Sequence, residues 1–267
     1  MSPAERAPEG AGVATTASPA MPGAVLEISG LSKRFGGLPA ISDVTFSVRG
    51  GERRLILGPN GAGKTTFFNL ISGDIAADRG TVRICGVDAT RLRTAARARL
   101  GLARTYQILT LFGGDTLLRN VAMAVLGASP GHFNPLAAFL PSDGFHQRAL
   151  SYLGLVGLDH LAHQPLGACS YGEKRRLELA MALAQEPRLL LLDEPLAGLS
   201  QQERKRVIAV LAAIPRQVSI LMIEHDMDSA LSFAERISVF QYGRLIVEGT
   251  REEVVGDPRT REVYLGH

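Results

Sequence analysis

The sequence has no tryptophan and only two cysteines, Cys85 and Cys169, among 267 residues. Two thiols far apart, in no metal-ligand spacing, exclude a disulfide scaffold and fit a reducing compartment. Long apolar runs are missing too. No segment reaches the roughly 18 uninterrupted apolar residues that a membrane span needs. The most apolar region, 121–140, is broken by Gly127, Pro130, Gly131, His132, Asn134 and Pro135. Charge of one sign is also lacking: the formal net charge is only +3. That describes a solvated, slightly basic surface and not a nucleic-acid-binding one. Residues 1–23 are rich in Ala, Pro, Gly, Ser and Thr and lack the apolar core of a signal peptide. They are expected to form a disordered tail with no chemistry, and Met21 offers a second start. No repeat of about 20–50 residues is present.

What is there suits a folded α/β chain. Hydrophobic residues make up 46% and charged residues 21%, and the length allows one large domain or two modest ones with a real core. Order is expected from about residue 25, with AVLEISGLSKRF as strand and turn. A period-two strand through Val44, Phe46 and Val48 follows, then an apolar run at 55–57. A helix is predicted from Lys64 to Gly73, a strand at TVRICG, and a basic, helical stretch at 91–104 that returns toward strand and loop at 103–107. The middle, 108–167, alternates Gly and Pro breaks with helical patches at 115–126 and 145–155, and reads as a mostly helical insertion. The core resumes with a helix at 172–185, a strand at 189–192, a helix at 201–213, a strand at 219–223, a helix at 227–234 and strands between 237 and 247. The strand LLLL is apolar on both faces, as a buried parallel sheet requires.

Two places promise phosphate chemistry. LILGPNGAGKTT sets Gly58, Gly63, Lys64 and Thr65 in the pattern G-x-x-x-x-G-K-[ST], after an apolar strand and before a helix. The glycines let backbone amides wrap a β-phosphate, Lys64 reaches the β- and γ-phosphates, and the Thr65 hydroxyl ligates Mg²⁺. RLLLLDEP then puts Asp193 at the C-terminal end of a buried strand, placed to hold Mg²⁺ through water, with Glu194 beside it as general base. That combination points to nucleotide hydrolysis. The second place is CSYGEKRRLELA, 169–180, where a hydroxyl residue, an aromatic and a glycine open a helix whose free amides suit an anion.

Read in order, Phe35, GPNGAGKT, Gln107, SYGEKRRLELA, LLLLDEP, AGLS and His225 resemble the ATP-binding subunit of an ABC transporter, from about residue 25 to the C-terminus. The resemblance implies a P-loop NTPase core with a mostly parallel sheet, an N-terminal antiparallel β subdomain and a helical subdomain inserted at about 109–185, all within one ABC ATPase domain, 24–267. It implies ATP and Mg²⁺ as cofactors. Phe35 would stack on adenine, although a lone Phe is more often a core residue. Gly58, Pro59, Asn60, Gly61, Ala62, Gly63, Lys64, Thr65 and Thr66 would hold the phosphates. Gln107 would sense Mg²⁺ and the attacking water, and His225 would contact the γ-phosphate. Thr65, Gln107 and Asp193 form the implied Mg²⁺ set, and Glu194, His225 and Gln107 the catalytic set. In the family two subunits pair head-to-tail, so Ser170, Tyr171, Gly172 and Glu173 would serve the partner's ATP.

Here CSYGE stands where the family usually has LSGGQ. Cys169 is expected to be a small packed core residue, and Ser200, where the family's loop ends in Asp, to be a helix N-cap. The stretches LSKRFGGLPAISDVTFSV, IEHDMDSALSFAERISV and EGTREEVVGDPRTREVYLGH resemble the ATPases of branched-chain amino acid importers, whose relatives also take up small amides and acids. The implied partners are a second ATP-binding subunit, two membrane permease subunits and a periplasmic or extracellular solute-binding protein, with no nucleic acid. The implied location is the cytoplasmic face of the plasma (inner) membrane, peripherally. A lipid or polysaccharide exporter ATPase shares these motifs. A non-transport ABC ATPase would need tandem cassettes or coiled-coil arms, and a generic phosphate-loop kinase would leave SYGEKRRLELA, Gln107 and His225 unused.

Overall fold

The structure is a computed structural model that describes residues 23–106, 111–129, 143–225 and 231–265. Residues 1–22 of the expected tail, Gln107 and residues 227–230 of the helix expected at 227–234 lie outside the described residues.

Two sheets carry the chain. The first is antiparallel, in the order β2-β1-β4-β5, from β1 (Ala24–Phe35), β2 (Leu38–Arg49), β4 (Arg79–Ile84) and β5 (Val87–Asp88). β1 turns into β2 through Gly36 and Gly37, both at positive φ, so that Phe35 pairs with Leu38 at the hairpin tip. The second sheet has the order β10-β9-β3-β8-β7-β6. Its strands are β3 (Arg53–Leu57), β6 (Leu102–Arg104), β7 (Leu189–Asp193), β8 (Ser219–Ile223), β9 (Arg236–Gln241) and β10 (Arg244–Gly249). Pairing is parallel throughout except for the β9–β10 hairpin.

The strand period decides what each side of this sheet packs against. Leu55, Leu57, Leu190, Leu192, Ile220 and Met222 face one cluster, with α3 (Leu117–Ala128), α5 (Tyr171–Leu183) and α6 (Gln201–Ala213). Ile56, Leu189, Leu191, Leu221 and Ile223 face the other, with α1 (Lys64–Ser72) and the antiparallel sheet. A buried central strand needs apolar side chains on both faces, which is why four leucines run in succession.

Between β6 and β7 the described secondary structure is helical, with α3, α4 (Asp143–Leu155), two single 3₁₀ turns and α5, apart from an isolated Thr116–Pro165 bridge. Two local expectations change. The basic stretch 91–104 forms only the short α2 (Thr94–Arg99), because Gly101 at φ +94° turns the chain into β6. Arg97 is buried and donates to the carbonyls of Leu70 and Ile71, a contact that a solvated basic helix would not make. β3 starts two residues before its apolar run, with Arg53 and Arg54 both buried. Arg54 pairs with Glu52 and Glu248, and Arg53 donates to the Ile214 carbonyl. Two further helices, Arg251–Gly256 and Pro258–Leu265, follow β10.

Candidate functional site

The phosphate-type loop leaves the end of β3 and enters α1. Gly63 is the left-handed N-cap of that helix, at φ +98°. A Cβ there would lie 2.6 Å from the Ala40 carbonyl oxygen, so β2 presses directly on the loop. Gly58 likewise has no room for a side chain before the Phe240 carbonyl. The Gly243 amide donates to Ala62 O at 2.9 Å, tying the loop to the β9–β10 turn. Asn60, Gly61 and Thr65 are exposed, while Pro59, Gly63 and Thr66 are half-buried. α1 has no acidic residue in its first turn, which leaves its positive end for an external anion. Lys64 is buried, and its Nζ donates to Gly58 O at 2.6 Å and Pro59 O at 3.0 Å. Burial pushes its ammonium below the ordinary lysine range, and the Glu194 and Asp193 carboxylates pull it back up.

Asp193 and Glu194 arrive at the end of β7, and His225 just beyond β8. β3, β8 and β7 are neighbours, with Ile223 in register with both Ile56 and Asp193. The loop, the two carboxylates and the imidazole therefore share the C-terminal edge of three adjacent parallel strands, where open α/β sheets bind ligands. Asp193 is 1% exposed. Its Oδ2 accepts from Arg104 at 3.0 Å, and its Oδ1 is buried with no hydrogen-bond partner among the described residues. Burial raises the Asp193 carboxyl above the ordinary range, opposed by the Arg104 guanidinium. A buried carboxylate oxygen left over beside a phosphate-type loop fits a hard divalent cation or its water, so the site suits Mg²⁺. Glu194 sits at φ +49°, a left-handed backbone that a non-glycine residue holds only under strain. Its amide donates to Ile223 O at 3.0 Å, and His225 Nε2 lies 2.5 Å from its Oε1. The intervening Glu224 is buried and accepts from the amides of Leu196 and His225.

Phe35 is half-exposed at the hairpin tip, paired with Leu38, two residues before the Ala40 that touches Gly63, with Lys33 Nζ 5.6 Å over its ring. It is not a core residue.

The second anion-type helix end is built differently. Ser170 caps α5 by a reciprocal pair: its hydroxyl accepts from the Glu173 amide, and Glu173 accepts from the Ser170 amide at 2.7 Å. Ser200 caps α6 in the same way with Glu203, as expected from the sequence. The Glu203 carboxylate also lies against Gly172, where a side chain on the glycine would overlap it. Tyr171 is exposed beside Gly198, and Cys169 is a buried core residue. Within this chain, Gly172 and Tyr171 thus contact Glu203 and Gly198.

Comparison with known proteins decides the family. The ABC transporter family model matches residues 41–197, which span the loop, the Ser170–Glu173 segment and the Asp193–Glu194 pair. The chain belongs to the ABC transporter family. The cassette is 36% identical, over 91% of its length and 98% of the relative's, to the high-affinity branched-chain amino acid transport ATP-binding protein BraF of Pseudomonas aeruginosa. It is 34% identical, over 91% and 98%, to the corresponding ATP-binding protein LivG of Escherichia coli. Among solved structures it resembles the ADP conformation of MJ1267, an ATP-binding cassette of an ABC transporter. The TM-score there is 0.80 at 30% identity, covering 91% of this chain and 99% of that one. A nucleotide-free cassette matches with TM-score 0.79 at 28% identity, over 91% and 100%. The cassette is therefore a nucleotide-binding ATPase coupled to transport.

Arg104, Glu203 and Glu224 were not marked by the sequence. Arg104 lay inside a run of basic residues, where nothing distinguished one buried arginine from its solvated neighbours. Glu203 was legible only as the third helical residue after Ser200, the capping-box spacing.

Proposed function

We propose that the cassette powers uptake of branched-chain amino acids or related small amides and acids, with Glu194 as the general base of ATP hydrolysis. The observation that carries the chemical part is the convergence of Lys64, Asp193, Glu194 and His225 on one strand edge, with Glu194 and His225 in direct hydrogen-bond contact. The substrate class rests on the relatives' transport role.

In this reading one ATP lies with its phosphates along Gly58–Thr66, at the positive end of α1, and its adenine against Phe35. Lys64 trades its bonds to Gly58 O and Pro59 O for phosphate oxygens. Thr65, Gln107 and Asp193 hold Mg²⁺, which supplies charge neutralisation of the phosphates. Glu194 takes the proton of the attacking water, and His225 orients Glu194 and faces the γ-phosphate. The Ser170–Glu173 helix end serves the ATP of a second ATP-binding subunit, so the Glu203 carboxylate moves off Gly172 when the pair closes. Residues 24–267 form one ABC ATPase domain whose helical subdomain, about 109–185, moves with closure. Two permease subunits receive that motion on the cytoplasmic face of the membrane, and an extracytoplasmic solute-binding protein delivers the solute. Among the described residues no helix is long and apolar enough to cross a membrane, which suits a peripheral subunit.

Glu194→Gln tests this. Its turnover should fall about 10²–10⁴-fold, the usual worth of a general base, while Mg-ATP converts it from monomer to dimer in light scattering. Ser170→Arg added to it should abolish the dimer. Near-normal turnover in Glu194→Gln would remove the base assignment, and a dimer that ignores Ser170→Arg would remove the role of the helix end.

A further inference from the structure

We infer that Arg104 is a positioning residue for the metal-binding carboxylate: it clamps one oxygen of Asp193 so that the other is presented to the cation of the nucleotide. The inference rests on the reading of Asp193 as an Mg²⁺ ligand.

Arg104 ends β6, the edge strand beside β7. Its side chain is 5% exposed and that of Asp193 2%, so this ion pair is shielded from water. The two terminal nitrogens of the guanidinium do separate jobs. One donates to Asp193 Oδ2 at 3.0 Å. The other donates to Asn69 Oδ1 at 2.7 Å, Ser72 Oγ at 2.9 Å and Asp74 Oδ2 at 3.0 Å. Phe68 and Tyr106 flank it, with ring centroids 5.6 and 4.8 Å away. Asn69, Ser72 and Phe68 all belong to α1, the helix whose first turn is the phosphate end of the site.

Arg104 is therefore a rigid bridge from the phosphate-loop helix to the strand that carries Asp193. One terminal nitrogen of the planar guanidinium holds Asp193 Oδ2 while the other is anchored on and beside α1, two directed contacts that a point charge cannot make at once. The oxygen that the clamp does not use, Oδ1, is the buried one with no hydrogen-bond partner among the described residues. Partners that orient a metal-binding carboxylate typically change metal affinity 10–100-fold when removed.

The test compares Arg104→Gln, Arg104→Lys, Asp74→Asn and Asp193→Asn in the full-length chain. Mn²⁺ is titrated in the presence of a non-hydrolysable ATP analogue, with free Mn²⁺ read by electron paramagnetic resonance. Binding of the same analogue in EDTA is measured alongside. Asp193→Asn should weaken Mn²⁺ binding, as a lost ligand must. Arg104→Gln should weaken it about 10–100-fold while analogue affinity in EDTA stays within about twofold of the parent. Arg104→Lys, which keeps the charge and loses the fork, should recover only part of the loss. Asp74→Asn breaks the same ion cluster on its far side and should leave Mn²⁺ affinity close to the parent's.

Mn²⁺ binding unchanged in Arg104→Gln, with Asp193→Asn weakened, overturns the clamp and leaves the Asp193 reading standing. Equal losses with and without metal, or an Asp74→Asn that matches Arg104→Gln, assign Arg104 a purely structural role. Mn²⁺ binding untouched in Asp193→Asn removes the reading on which the clamp rests. If Arg104→Gln does not fold, Arg104→Lys decides alone: full parental Mn²⁺ affinity there overturns the requirement for the fork.

Discussion

At the residue scale, the site depends on a few positions where the backbone rather than the side chain is the functional part. Gly63 combines a left-handed φ of +98° with a carbonyl 2.6 Å from where a Cβ would sit. Gly63→Ala should therefore cost about 1–3 kcal/mol in conformational strain alone, more once β2 is pushed away. Chemical denaturation should show a lower midpoint at unchanged slope, and nucleotide affinity should fall with it. The glycine spacing and Lys64 were readable from sequence because the loop is local: its residues are consecutive, and the strand and helix around it announce themselves. Glu194 at φ +49° was readable only as a carboxylate after Asp193. Nothing in DEP announces a left-handed glutamate, since its conformation is imposed by the bond to Ile223 O and the His225 contact.

At the element scale, three helices begin at reciprocal capping boxes. Ser170–Glu173, Ser200–Glu203 and Thr250–Glu253 are three reciprocal boxes, each a hydroxyl residue followed three positions later by glutamate. Ser200→Ala should destabilise the fold by about 1 kcal/mol, the usual worth of an N-cap, and a thermal melt of the purified variant would read it. Thr250→Ala provides the comparison, because its box caps a helix beyond β10 and its Glu253 lies against Gly249, not Gly172. If Glu203 is held in place by its box, Ser200→Ala should also change ATP-dependent dimer formation, whereas Thr250→Ala should not. The basic stretch 91–104 misled for an elementary reason. Helix propensity treats Arg as a good former, but Arg97 is consumed by carbonyls of α1, and Gly101 ends the helix to admit an edge strand. Tertiary partners, invisible in a window of a dozen residues, set that boundary.

At the scale of the whole molecule, the six-stranded sheet divides two apolar cores, and α1, packed in the one shared with the antiparallel sheet, joins that core to the site. Phe67 on α1 is fully buried, edge-on to Phe46 of the antiparallel sheet at 5.4 Å and 5.0 Å from Phe240 of β9. Phe67→Ala should lower global stability by about 3–5 kcal/mol, as for other buried aromatic truncations, measured by urea unfolding. Because Phe67 touches both sheets, the antiparallel sheet should loosen as well, visible as faster amide hydrogen exchange in β1 and β2. A loss confined to α1 would show that the two sheets are held together elsewhere. The buried arginines of β3 belong to this scale as well. Arg53 reaches the carbonyl of Ile214 and Arg54 reaches Glu248, so both close the sheet against segments more than a hundred residues away.

The sequence by itself determined the phosphate loop, the carboxylate pair after a leucine strand, the starts of the helices after Gly63 and Ser200, and the doubly buried parallel sheet. Each of these is written in a short run of residues whose spacing has one physical reading. Only the tertiary structure decided that Glu194 and His225 touch, that Glu203 lies against Gly172, and that Arg104 bridges α1 to Asp193. These pairs come from strands and helices far apart in the chain. Their meeting depends on strand order and register, which no local pattern encodes and which the packing of both cores against one sheet enforces.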